Sequence, residues 1–144
     1  MLLLLLTLVT APVDTCRFDL PGVIRQSPDG RMRAAPMYSR EAVDSIGAYA
    51  GWLFLAPGTV VAEHEHDGDE MVFAVCGSAR FRVGGEEVAL GQGVSVRIPR
   101  GARHAALVGA EGLVLVQFYR PGGAGLRFYE WEIAIAPPNP PPRQ

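Results

Sequence analysis

The sequence has no surplus of either charge: 13 Lys plus Arg against 15 Asp plus Glu leave a formal net charge of -2. With no basic stripe and no DNA-binding helix, the expectation is no nucleic-acid partner. There are only two cysteines, Cys16 and Cys76, too few for a disulfide framework. An even pair allows one bond in an exported protein, and two small buried hydrophobes fit as well. No apolar run reaches the roughly 20 residues of a helical bilayer span, so no stable membrane span is expected. Between Ile46 and Tyr119 no segment keeps a helical period over about eleven residues, which argues against a helical bundle or an α/β sheet. No internal repeat, nucleotide-binding glycine loop or plausible nucleophile stands out.

What is present is a chain of 144 residues, the length of one domain with room for a sizeable apolar interior. Seventeen glycines and twelve prolines punctuate it, and from Ile46 on they separate short apolar runs. Trp52-Leu53-Phe54-Leu55 stops at Ala56-Pro57-Gly58, and Val60-Val61-Ala62 leads into two histidines. Met71 to Val75 ends at Cys76-Gly77-Ser78, and Phe81, Val83, Val88 and Leu90 flank Gly84-Gly85, the signature of a tight hairpin. Val94, Val96 and Ile98 alternate with Ser95 and Arg97, a period of two. Gly109-Ala110-Glu111-Gly112 reads as a further turn before the apolar run Leu113 to Tyr119. The fold class this predicts is all-β, a sandwich or barrel. Arg40 to Asp44 reads as one helical turn and Ser27-Pro28-Asp29-Gly30 as a turn.

The expected organisation is a signal segment over 1–11, an N-terminal extension over 12–45, a β-barrel domain over 46–134 and a proline-rich, disordered tail over 135–144. Met1 to Thr10 carries five consecutive leucines, and Val9-Thr10-Ala11 offers small residues for cleavage, so export to the periplasm or outside the cell is expected. A buried N-terminal strand in a cytoplasmic protein, or a start codon called too early, is the alternative, since no Lys or Arg precedes the leucines.

His64 and His66 are one residue apart, a spacing that on a strand turns both imidazoles to one face. Asp67-Gly68-Asp69 makes a turn, so Glu70 opens the next strand and brings a carboxylate back toward the rings. His104 follows a Pro-x-Gly turn. Three neutral imidazoles and a carboxylate suit one divalent transition metal ion, Fe, Mn, Cu, Ni or Zn, better than Mg²⁺ or Ca²⁺, which favour all-oxygen sites.

These residues resemble the two motifs of the cupin superfamily, in its small single-domain form. Gly58, five residues, His64-Glu65-His66, three residues, Glu70, six residues, Gly77 has the residues and spacing of the first motif. Gly93, five residues, Pro99-Arg100-Gly101, two residues, His104 matches the second, with Val108 where an asparagine is usual. The resemblance covers Trp52 to Arg120 and implies a double-stranded β-helix, the jelly-roll or cupin barrel, with metal ligands His64, His66, Glu70 and His104 in its mouth. An isolated His-x-His is commonly two surface histidines, but here all three histidines of the chain occupy motif positions.

Glu63 and Glu65 should point outward and Arg97 should lie on a solvated face, while Asp67 and Asp69 serve the turn. Trp52, Phe54, Phe73, Phe118 and Tyr119 are expected in the core, some lining the pocket. Gln117 lies on the late strand where cupins often place a pocket residue. A small-molecule ligand or substrate is implied. The functions to weigh are a metal-dependent oxidoreductase such as a dioxygenase, a non-redox isomerase or lyase, and a module that binds a small ligand without turnover. A homodimer is expected through the Leu113 to Tyr119 run and the Phe128-Tyr129-Glu130-Trp131 segment, which carry few charges.

Overall fold

A computed structural model describes residues 23–135. The signal segment, Cys16 and the proline-rich tail beyond residue 135 lie outside the described residues. The elements in chain order are β1 (Ile24–Gln26), β2 (Met32–Pro36), α1 (Arg40–Ile46), β3 (Tyr49–Leu55), β4 (Val60–His64), β5 (Asp69–Val83), β6 (Glu86–Gly91), β7 (Ser95–Ile98) and β8 (His104–Arg120). A 3-10 helical segment (Gly122–Glu130) and β9 (Glu132–Ile135) follow. Every strand pair is antiparallel, so the fold is all-β as the alternation predicts.

Two long strands form the frame. β5 runs 15 residues and β8 runs 17, and they pair from Asp69 opposite Arg120 to Val83 opposite His104. Each half of each strand has its own second neighbour. The first half of β5 takes β7 and the second half β6, while β8 takes β4 beside its first half and β3 beside its second. This is the jelly-roll arrangement. β3 continues through β2 and β1 to β9, so residues before Ile46 that show little sequence pattern also join the sheet.

Two expected turns are in fact bends inside these strands. Cys76-Gly77-Ser78 does not end a strand, because β5 continues through register shifts between Ala74 and Cys76 and between Gly77 and Ala79. Gly109 to Gly112 likewise lies within β8. A bulge and a turn use the same glycine chemistry, so sequence does not separate them. The hairpin at Gly84-Gly85 is as expected, with φ of 56° and 90° and Val83 paired to Glu86. Gly30 closes the expected turn on Ser27 at 2.9 Å. The helical turn is α1, where the Ser39 hydroxyl accepts from the Ala42 N–H and Gly47 ends the helix in the left-handed conformation.

Alternation about the two long strands decides what is inside. Val72, Ala74, Leu113, Leu115 and Tyr119 point in and are buried, and complete burial of a Leu or Val side chain is worth about 1.5–3 kcal/mol. Their neighbours point out, which corrects the expectation for the aromatics. Of the five named above only Tyr119 is buried; Trp52 and Phe54 are half-buried, and Phe73 and Phe118 are exposed at 41% and 46%. Of the expected interface, Leu113, Val114, Leu115, Tyr119 and Phe128 are buried, which leaves Phe118 as its exposed large hydrophobic. Phe128-Tyr129-Glu130 belongs to the 3-10 segment rather than a strand, and Phe128 stacks on Tyr49 at 5.6 Å. Cys76 is buried and is not a free thiol.

Candidate metal centre

The long-strand pairing assembles the site. His64 ends β4 directly opposite His104, which begins β8, and Glu70 is the second residue of β5, opposite Ile98 and Tyr119. His66 departs from the expectation: β4 stops at His64, so His66 sits in the following loop rather than on the same strand face. Its own hydrogen bonds hold it there, from the Gly101 N–H to its carbonyl at 3.1 Å and from its ring to Gly68.

One ligand atom from each of His64, His66 and His104 lies within 4.8 Å of the others, a group that can hold a metal ion. The hydrogen bonds of the rings fit that role. His64 Nδ1 is 2.8 Å from the Ala62 carbonyl, His66 Nδ1 is 3.0 Å from that of Gly68, and His104 Nδ1 is 2.8 Å from that of Ala102. A carbonyl only accepts, so each Nδ1 carries the proton and each Nε2 is left with its lone pair. Backbone carbonyls thus orient the rings as the outer partners of metal-bound histidines do. The buried His104 Nε2 has no hydrogen-bond partner, as suits an atom reserved for coordination.

Glu70 is beside this group. One of its oxygens is 2.9 Å from His66 Nε2 and 3.5 Å from His104 Nε2, with the carboxylate almost fully buried. Burial alone would raise its pKa, but the His104 and His66 rings facing it, in their cationic forms, outweigh it and hold the carboxyl down at about 2. The hydrogen bond to Glu70 raises His66 above the ordinary histidine value. Burial lowers His64, and the charge of His104 adds to that.

The lesser candidates take ordinary roles. Glu63 pairs with Arg82 and Arg103, each at 3.1 Å, Arg97 pairs with Asp69 at 2.8 Å, and Arg100 with Asp67. All are exposed pairs of the kind worth little to stability. A cavity of about 500 Å³ adjoins the metal group, walled by Leu53, Leu55, Val61, Phe81 and Leu115, with Gln117 and Arg127 among its polar lining. The sequence reading missed Arg127, and nothing in its spacing signals it, because it lies on the 3-10 segment beyond the last motif.

Residues 51–116 match the family model for the cupin domain. Over 64 residues the chain is 42% identical to the tetracenomycin polyketide synthase protein TcmJ of Streptomyces glaucescens, a match that spans 42% of this chain and 43% of that protein. Among solved structures, an RmlC-like cupin from Shewanella frigidimarina superposes with a TM-score of 0.63 at 18% identity, covering 78% of this chain and 95% of its own. TT1209 from Thermus thermophilus superposes with a TM-score of 0.56 at 27% identity, covering 68% and 90%. The matched segment, the antiparallel jelly roll and the clustered imidazoles coincide: the chain is a small cupin-domain protein.

Proposed function

We propose that the chain is a metal-dependent enzyme acting on a small, mostly apolar molecule, with one divalent transition metal held by His64, His66, Glu70 and His104. The observation that carries this reading is the convergence of three imidazole Nε2 atoms, each ring fixed in one tautomer by a backbone carbonyl, beside an apolar cavity. A bound ion of this kind supplies Lewis acidity or one-electron chemistry at its open coordination positions. The chain's own part is to orient the rings, to offset the ion's charge through the Glu70 carboxylate, and to exclude water with Leu53, Leu55 and Leu115.

The oxidoreductase form of this reading, a dioxygenase, is supported by a donor set of three nitrogens and one oxygen, which leaves room for both substrate and O₂ on a six-coordinate ion. A non-redox form would use the ion as a Lewis acid on a carbonyl or hydroxyl of the ligand. Elemental analysis of the purified full chain separates them. About one equivalent of Fe, Mn or Cu per chain is the expected result; zinc would overturn the dioxygenase form, and no metal at any loading would overturn both.

Export is retained as part of the proposal on the strength of the leucine run alone. No described helix is long and apolar enough to cross a membrane. We also propose a homodimer, its contact narrowed to the outer sheet face where Phe118 lies opposite Met71 with Phe73 beside them, all exposed. Light scattering should give twice the chain mass, and F73R should return it to one; a monomeric wild type at micromolar concentration would overturn the dimer.

A further inference from the structure

Two polar groups in the cavity are not used by the metal cluster. Gln117 is 1% exposed, lies opposite Gly51 of β3 and Val72 of β5, and lines the cavity. Its Oε1 accepts from the Tyr119 hydroxyl at 3.2 Å, whereas its Nε2 is buried without a partner. The Tyr49 hydroxyl is beside this amide and can take one of its two N–H groups, which leaves the other for an acceptor. Arg127 reaches the same hydroxyl from the other side, its Nη2 donating to the Tyr119 oxygen at 3.3 Å, with the guanidinium 4.8 Å from the Phe128 ring centre.

Among the described arginines, Arg127 is the one that lines this cavity. Arg40, Arg82, Arg97, Arg100 and Arg103 each pair with a carboxylate. No described carboxylate pairs with Arg127, although it lines the cavity beside the apolar walls of Leu53, Leu55 and Leu115.

From this juxtaposition we infer that Arg127 and Gln117 form a second anchor for the ligand, which is therefore a small apolar molecule bearing a carboxylate. The planar guanidinium presents parallel N–H donors that match a carboxylate's two oxygens, and the Gln117 Nε2 supplies a further donor beside the Tyr119 hydroxyl. The inference rests on the proposed enzyme reading only for what happens at the other end of the molecule. Stacking on Phe128 and the bond to Tyr119 hold the guanidinium in place, so little side-chain freedom is lost on binding.

The test uses trans-cinnamate and its uncharged counterpart cinnamyl alcohol as probes, titrated calorimetrically into the full chain, both metal-loaded and chelator-stripped. Wild type should bind cinnamate about tenfold or more tighter than the alcohol in both forms. R127M, which keeps an unbranched side chain of similar length, and R127Q, which keeps a polar end, should both abolish that preference while retaining wild-type metal content and thermal midpoint. A folded R127M or R127Q that still prefers cinnamate overturns the anchor, as does a wild type with no preference. A preference confined to the metal-loaded form and indifferent to Arg127 also overturns it, while leaving the metal reading intact. A preference that depends on Arg127 in a chain that takes up no metal supports the anchor and removes the enzyme reading instead.

Discussion

Purified H104A and H66A are expected to lose bound metal almost entirely, with affinity lowered by about a hundredfold or more. Changing only an outer partner of a metal ligand already costs about 10–100-fold, and each of these variants deletes a ligand. E63Q, on the exposed pair with Arg82 and Arg103, should keep wild-type content. Two folded histidine variants with undiminished metal would refute the assignment. The pH dependence has a definite sign. Coordination needs the neutral imidazole, so protons compete with the ion. His66 is raised by its hydrogen bond to Glu70 and protonates at a higher pH than His64, which burial keeps neutral to lower pH. Glu70, held at about 2, stays ionised throughout and adds no slope. Affinity should therefore drop as pH falls through the raised His66 value, and a flat curve from about pH 8 to about pH 5 would count against histidine ligation.

G77A should be the most damaging glycine substitution in the frame. Gly77 has φ of 83°, and a Cβ there would run into the carbonyl oxygen of Gly112 and lie 2.8 Å from its carbon. Left-handed backbone in a non-glycine residue costs about 1–3 kcal/mol. Overpacking against unyielding backbone adds about 1–3 kcal/mol more. At about 2–4 °C per kcal/mol for a chain of this size, the thermal midpoint should fall by roughly 10 °C. Gly84 also has positive φ, 56°, but nothing lies within 4 Å of its Cβ position, so G84A should lose only about 1–2 kcal/mol. Equal midpoints for the two variants, read by calorimetry, would show that β5 and β8 do not cross as closely as described.

The same glycine explains what the sequence made legible. At Gly84-Gly85 two apolar alternations are joined by a two-residue gap, which only a hairpin satisfies. At Gly77 the alternation also breaks, but the chain bends and keeps pairing, and no local signal separates that from a turn. The spacing of His64, His66, Glu70 and His104 was readable because ligands follow turn glycines at short range. It did not reveal that His66 leaves the strand, since its position is fixed by contacts with Gly68 and Gly101 rather than by pleating. Phe73 and Phe118 are good strand formers on either face, so residue type predicted the strand and not the direction. Arg127 and Phe128 were illegible for a further reason: their roles depend on Tyr49 and Tyr119, brought close only by the folded sheet.

The β5–β8 pairing joins residues as far apart as Asp69 and Arg120, and the ligands sit on or beside β4, β5 and β8. His64, His66 and Glu70 are neighbours in sequence, but His104 reaches them only once the long β5–β8 loop has closed, which places assembly of the full set among slow, high-contact-order steps. An ion that needs three imidazoles and a carboxylate at once has no template in the early collapsed chain. On the proposed reading the ion would bind after the frame has closed and would then stabilise the native state by mass action, slowing escape from a fold whose formation it did not guide.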